Sequence, residues 1–204
     1  MKLHWSPRSP FVRKVMIVAH ERGLADRMTC VRTVAAMTKP HAELMRDNPL
    51  SKIPTLALDD GTVLYDSPVI CEYLDCLAAG TPKLFPGEPK ARMTALRRQA
   101  LGDGFLDLLL LWRDERMRAQ PSAAHLASAT ARTAVTLEHL EREAEAIAAT
   151  PFDIGHVAIG CALSYLDFRF AADDWRQDHP RIASWHREFA DRPSVRATEP
   201  VDDS

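Results

Sequence analysis

Apolar residues recur at helical spacing at Val12, Val15, Met16 and Ala19, after a short strand candidate at Lys2 to Trp5 and a proline-containing turn, Ser6-Pro7-Arg8. That period predicts a helix from Pro10 to Arg22, opened by the Ser9-Pro10 pair and closed by Gly23. Met28 to Val34 reads as a second strand. Lys39 to Asp47 reads as a weakly patterned helix that stops at Asn48-Pro49, because the residue before a proline is pushed out of the helical region. Two apolar runs follow, Thr55 to Leu58 and Val63 to Tyr65, with the hairpin signal Asp59-Asp60-Gly61-Thr62 between them. Asp66-Ser67-Pro68 then opens a third helix to about Ala79, with Ser67 as the expected cap. Proline cannot donate to a sheet ladder, so Pro54 belongs at the start of its strand, where its bond to Ile53 can be cis and would turn the Ile53 backbone outward to an extended ligand.

This order of elements sets a parallel strand pair beside an antiparallel hairpin and predicts an α/β unit over residues 1–79. Residues 80–87 carry two prolines and two glycines and read as a linker. From residue 88 to 204 the pattern is helical. Pro89 to Arg118 and Ala123 to Ala149 are long, rich in Ala, Leu, Arg and Glu, and suit an antiparallel pair. Phe152 to Ala171 is apolar almost all round, which predicts a helix buried in the middle of its domain, and Thr150-Pro151-Phe152-Asp153 before it fits a capping box. A last helix is expected over Pro180 to Ala190, with a polar tail from Pro193 to Ser204.

Composition removes several classes of function. A net charge of −2 over 204 residues gives no reason to expect nucleic acid as a partner. Cys30, Cys71, Cys76 and Cys161 lack zinc spacing and form no CxxC pair, which argues against a dithiol redox enzyme. The eight histidines show no HExxH or other ligand spacing, so no metal is expected. Polar or charged residues at Lys2, His4, Arg8, Arg13 and Lys14 do not suit a signal peptide, and the longest apolar run, Leu108 to Trp112, is far too short to span a bilayer. A cytoplasmic location with reduced thiols is the expectation.

The α/β unit, the run Asn48-Pro49-Leu50-Ser51-Lys52-Ile53-Pro54-Thr55-Leu56, the acid-Ser pair Asp66-Ser67 opening the third helix, and the helical second half together resemble the soluble glutathione transferases, over the whole chain. The resemblance implies a thioredoxin-like N-terminal domain over 1–79, an all-α helical bundle over 88–204, and a homodimer that binds glutathione as co-substrate. It implies that Ile53 and a cis Pro54 pair with the cysteinyl backbone of glutathione. Asp66 would take the γ-glutamyl ammonium, and Ser67 with the helix N-terminus the γ-glutamyl carboxylate. Ser9-Pro10-Phe11-Val12-Arg13 lies where the delta and theta classes have a Ser-x-Pro-x-Arg segment whose serine assists the thiol, which makes Ser9 the candidate catalytic residue. Gly102-Asp103-Gly104 resembles a motif on the fourth helix whose acid reaches across the dimer to the neighbouring γ-glutamyl ammonium. Lys52 is a further candidate, for the glycyl carboxylate.

The chain also departs from parts of the family. Tyr65, Tyr73 and Tyr165 are its only tyrosines, so the first loop has none and the tyrosine classes are excluded. Cys30 falls in the second strand, which does not support a cysteine-type mechanism, and the serine-serine-cysteine loop of the zeta-class isomerases is absent. Ser6 ranks below Ser9 because it precedes Pro7 and does not open the helix. Each serine also fits a plainer reading: Ser9 as a helix cap alone, Ser67 as a cap whose free amides bind a carboxylate in any case. Asp153 fits a structural cap. The leading expectation is an enzyme joining glutathione to small hydrophobic electrophiles in a detoxifying role, or using it to reduce peroxides. The other reading is a non-catalytic protein that keeps the fold as a binding or interaction module.

Overall fold

A strand that feeds a helix, twice, at the same end of one small sheet is the feature that matters for function. In a computed structural model describing residues 1–36, 38–80 and 82–203, the chain divides into two units, Met1–Gly87 with Pro193–Ser204, and Glu88–Arg192. Thr81 of the expected linker and Ser204 of the expected tail lie outside the described residues.

In the first unit β1 (Lys2–Trp5) pairs in parallel with β2 (Thr29–Arg32) and antiparallel with β3 (Thr55–Ala57), which pairs antiparallel with β4 (Val63–Leu64). The order across the sheet is β2-β1-β3-β4. The register is Trp5 to Arg32, His4 to Thr55 and Leu56 to Leu64. One end of the sheet therefore collects the C-terminal ends of β1, β2 and β4 and the N-terminal end of β3. Helices α1 (Pro10–Glu21) and α3 (Ser67–Leu77) begin there, and α2 (Ala42–Asp47) precedes β3. Leu3 and Leu56 from the sheet, Val12, Val15 and Val18 from α1, and Ile70 and Leu74 from α3 are buried together as the core. Each such aliphatic side chain contributes roughly 1.5–3 kcal/mol by leaving water.

Local chemistry accounts for the differences from the expected boundaries. Helix α2 starts at Ala42 and not at Lys39, because Lys39 precedes Pro40, and His41 caps the helix by accepting Leu44 N–H at Nδ1, 3.2 Å. Ser67 is the first helical residue of α3 and not its cap. Asp66 holds the N-cap position with extended backbone, and its carbonyl accepts Ile70 N–H at 3.1 Å. The expected linker is fastened to the first unit. Buried Asp75 accepts Leu84 N–H at 2.9 Å and Phe85 N–H at 3.1 Å, while Arg22 Nε sits 3.1 Å from its carboxylate. Arg22 Nη1 also donates to the Pro82 carbonyl at 2.6 Å.

The polar segment from Pro193, expected with the helical domain, groups with the first unit. It forms the short helix α8 (Pro193–Arg196), whose Val195 is buried and whose carbonyl accepts from Arg13 Nη2 at 3.3 Å.

The second unit is helical: α4 (Pro89–Arg116), α5 (Ala123–Ala148), α6 (Ile154–Arg169) and α7 (Pro180–Ala190). Every residue of α6 from Ile154 to Leu166 is buried, as its all-round apolar pattern predicts. Asp153 itself is the N-cap of α6, accepting Gly155 and His156 N–H at 2.8 and 3.1 Å, and His156 completes the box by accepting Asp153 N–H at Nδ1. Thr150, expected to open that box, instead donates to the Ile147 carbonyl and accepts from Arg98. At Gly102 α4 packs directly on the α6 backbone: a Cβ there would stand 2.5 Å from the Ala158 carbonyl carbon and 2.7 Å from the Ile159 nitrogen. Among the described residues no helix is long and apolar enough to cross a membrane.

Candidate functional site

Ser9 caps α1 with extended backbone, its Oγ accepting Val12 N–H at 3.3 Å and its own N–H donating to the Ser6 carbonyl at 3.2 Å. As a cap the hydroxyl uses an acceptor lone pair, which leaves its O–H to donate elsewhere. The side chain is half-buried, and Pro10, which has no N–H, occupies the first helical position. Ser6 is buried, and its Oγ accepts Arg8 N–H at 3.4 Å.

The next piece of the site is the loop ahead of β3. Buried Asn48 donates from Nδ2 to Thr55 Oγ1 at 2.9 Å and to the Lys52 carbonyl at 3.2 Å, and its Oδ1 accepts Leu50 N–H at 3.0 Å. Thr55 Oγ1 donates to the same Lys52 carbonyl at 2.8 Å. Ser51 turns the chain in the left-handed region, φ 51°, with its Oγ accepting His41 N–H at 2.9 Å. These bonds fix the backbone that leads into Ile53-Pro54, whose bond is cis. Pro54 is buried and Ile53 half-buried. Among the described residues neither the N–H nor the carbonyl of Ile53 has a hydrogen-bond partner. A backbone donor and acceptor left open beside a strand start can receive another extended backbone.

The third piece is the start of α3. The Tyr65-Asp66 bond is also cis. Asp66 is exposed and makes no side-chain cap bond, and Ser67 is buried. With Pro68 lacking an N–H, the amides of Ser67 and Val69 have no acceptor among the described residues. Open amides at a helix N-terminus form an anion site, and the exposed Asp66 beside them adds a site for a cation.

The sheet register brings these three pieces to one end: the Ser9 loop after β1, Ile53-Pro54 before β3, and Asp66-Ser67 after β4. The arrangement offers, in spatial order, a hydroxyl, an extended backbone pair, and an anion site next to a carboxylate. Lys52 lies on the same loop with an exposed side chain, and its carbonyl accepts from Asn48 and Thr55. Asp103 lies half-buried in the middle of α4, in the second unit.

Three supports escaped the sequence reading. Asn48 was visible only as a helix stop, Ser51 carried no turn signal of its own, and His4 looked like a strand residue. The structure puts His4 Nδ1 3.0 Å from Thr33 Oγ1 and Nε2 2.8 Å from Asp47 Oδ2, which also accepts from Lys2 Nζ at 2.6 Å. The Lys2 hydrogen bond, followed by the His4 bond, holds the Asp47 carboxyl below its ordinary range. Among the described residues no group of three or more His, Cys, Asp or Glu side chains is arranged to hold a metal.

Comparison with known proteins places this geometry in a family. The model for the glutathione S-transferase N-terminal domain matches residues 8–77, and that for the glutathione S-transferase C-terminal domain matches residues 123–188. The chain is 30% identical over 204 residues to the uncharacterized GST-like protein YibF of Escherichia coli K12, covering 98% of each. A glutathione transferase family member from Pseudomonas fluorescens Pf-5, solved with bound glutathione, matches with a TM-score of 0.93 at 43% identity over 98% of both chains. A second structure of that description, with bound S-(propanoic acid)-glutathione, matches with a TM-score of 0.89 at 41% identity over 98% of both chains. A thioredoxin-like first domain and a helical second one are thus shared along the full length, and the chain belongs to the glutathione S-transferase family.

Proposed function

We propose that this protein is a glutathione transferase of the serine type, resembling the delta and theta classes, that joins the glutathione thiolate to small hydrophobic electrophiles. The observation that carries the reading is the gathering of Ser9, Ile53-Pro54 and Asp66-Ser67 at one end of the sheet. The open Ile53 N–H and carbonyl receive the cysteinyl backbone of glutathione. The Ser67 and Val69 amides with the Ser67 hydroxyl take the γ-glutamyl carboxylate, Asp66 takes the ammonium, and Lys52 approaches the glycyl carboxylate as a flexible point charge. Both glutathione-bound relatives, similar over nearly the whole chain, support this assignment.

The chemistry needs a thiolate, and a free thiol has a pKa near 8.5. With the peptide held as above, its sulfur comes to the Ser9 loop. There the Ser9 O–H and the N-terminus of α1 stabilise the anion, so the thiol proton passes to solvent at lower pH. Serine need not ionise. The thiolate then forms the S–C bond while the electrophile's leaving group, or its π pair, accepts the displaced electrons. We infer further that the protein works as a homodimer in which Asp103 of one subunit approaches the γ-glutamyl ammonium bound by the other.

A panel of electrophiles and peroxides, assayed for turnover beside calorimetric binding of glutathione, tests the reading. Binding with conjugation is the expected result. Binding without turnover on any member would make the protein a glutathione-binding module, and absence of binding would remove the site.

A further inference from the structure

The first loop also joins a charged cluster that lies outside the contacts proposed for glutathione. Arg8, the residue before Ser9, and Arg32, the last residue of β2, converge on the carboxylate of Asp203. Arg32 grips it with two parallel bonds, Nε to Oδ2 at 2.6 Å and Nη2 to Oδ1 at 2.8 Å, and Arg8 Nε adds a third contact to Oδ1 at 2.9 Å. Arg32 Nη1 donates to the Thr33 carbonyl, and Arg8 Nη1 stands 3.9 Å from Asp202. Two guanidinium groups on one carboxylate, one of them fork to fork, form a site shaped for a planar anion.

The segment that carries this carboxylate has little backbone support near the clamp. Among the described residues its backbone makes one hydrogen bond there, Val201 N–H to the Pro7 carbonyl at 3.4 Å, and Val201 itself is 57% exposed. The three side chains of the clamp are each about a third exposed or less, 26% for Arg8, 33% for Arg32 and 32% for Asp203. Solvent therefore reaches the ion pair, so another carboxylate can compete with Asp203 for the two guanidinium groups.

Its place in the sheet gives it a use. Across the functional end, the strand order β2-β1-β3-β4 reads as Arg32, the Ser9 loop, Ile53-Pro54, then Asp66-Ser67. A glutathione laid with its γ-glutamyl end at Ser67 and its cysteine at Ile53 brings its sulfur to Ser9. On that placement a substituent on the sulfur lies on the Ser9 side of the peptide, beside Arg8 in sequence and next in strand order to Arg32. We propose that Arg8 and Arg32 are the subsite for a carboxylate carried by the electrophile, and that Asp203 fills it as a displaceable stand-in. The substrates favoured would be small electrophiles, apolar apart from one carboxylate a few bonds from the reacting carbon. This inference rests on the glutathione reading above.

Calorimetry with two product-like probes, S-(2-carboxyethyl)glutathione and S-propylglutathione, tests it without relying on turnover. The wild-type protein should bind the acid about tenfold more tightly than the propyl compound, the size expected of a charge-assisted contact reduced by competition with Asp203. Arg32→Gln should erase the preference while leaving S-propylglutathione binding intact. Asp203→Asn, at an exposed position where folding is not at stake, should widen the preference severalfold. Equal affinity of both probes in the wild-type and Asp203→Asn proteins would overturn the subsite and leave the glutathione reading standing. So would a preference that persists in the Arg8→Gln/Arg32→Gln double variant. Failure of both probes to bind would overturn the glutathione reading, and this inference with it.

Discussion

The Ser9 hydroxyl caps α1, and the second role proposed for it, at the thiol, separates from the first by experiment. As a cap, Ser9 accepts Val12 N–H, so Ser9→Ala should lower stability by roughly 0.5–2 kcal/mol. As a thiol partner it donates, so the same change should cut conjugation by about 10²–10³-fold, the usual effect of losing one preorganised donor to an anion. Glutathione affinity should stay nearly constant, because in the proposed binding mode Ile53, Asp66 and Ser67 hold the peptide, and the pKa of the bound thiol should rise toward its solution value. A stable Ser9→Ala protein with unchanged turnover and thiol pKa would leave Ser9 a cap only and direct attention to Ser6. Asp47 supports a pH prediction. Its carboxyl is held below the ordinary range, first by Lys2 and then by His4, so its folded pKa lies below the unfolded value of about 3.9. A depressed carboxyl contributes stability above the unfolded pKa and loses it as pH falls through the folded one. Wild-type and Asp47→Asn proteins should therefore differ in urea midpoint at neutral pH and converge below about pH 4. A gap that stays constant into acid would show that the Lys2 and His4 bonds contribute nothing through the Asp47 charge.

Two elements are held by features that leave a mark when mutated. Gly102 has no room for a side chain against the Ala158 and Ile159 backbone, and backbone cannot rotate away as a side chain can. Gly102→Ala should destabilise the second unit by about 1–3 kcal/mol through overpacking, although alanine ordinarily favours a helix; an unchanged urea midpoint would show that α4 and α6 move apart freely. Asp75 is a buried acid that holds Leu84 N–H, Phe85 N–H and Arg22, so Asp75→Ala should cost about 3 kcal/mol or more and expose residues 82–87 to proteolysis. A protease-resistant variant of wild-type stability would contradict that. These elements also show which parts of the fold were legible. The helix over Pro180–Ala190 and the β1 strand were readable because a proline opens one and a short strand preceding a proline turn forms the other. The α6 helix was readable because it is apolar on every face. The cap of α3 was displaced by one residue because Asp and Ser both cap well and local sequence does not choose between them. The fastening of residues 82–87 was hidden, since prolines and glycines signal a turn while the anchor, Asp75, is a tertiary partner. Of the candidate site, Ser9, Pro54, Asp66 and Ser67 were readable as strand and helix starts. Their supports Asn48 and Asp47, and the Arg8–Asp203–Arg32 clamp, depend on contacts between distant segments that periodicity does not encode.

At the scale of the whole molecule the open question is whether one chain makes a complete site. Large apolar side chains remain in water on α3 and α4, Val69 at 47%, Leu77 at 37% and Met93 at 66% exposed, which is surface a second copy would cover. Sedimentation at micromolar concentration should show a dimer, and Met93→Glu should shift it toward monomer by placing a charge in the interface. If Asp103 acts across that interface, Asp103→Ala should weaken glutathione binding by about 1–3 kcal/mol without unfolding the protein, as expected for one charge-assisted bond. The decisive comparison is the double variant. Monomerising the protein removes the neighbour's Asp103 from each site, so Met93→Glu, which lies outside the proposed glutathione contacts, should alone weaken glutathione by the same amount as Asp103→Ala. Asp103→Ala added to Met93→Glu should then do nothing more, since the contact is already gone. Full additivity of the two effects would mean that Asp103 acts within its own chain, and a tight-binding monomer would mean that each chain carries a complete glutathione site.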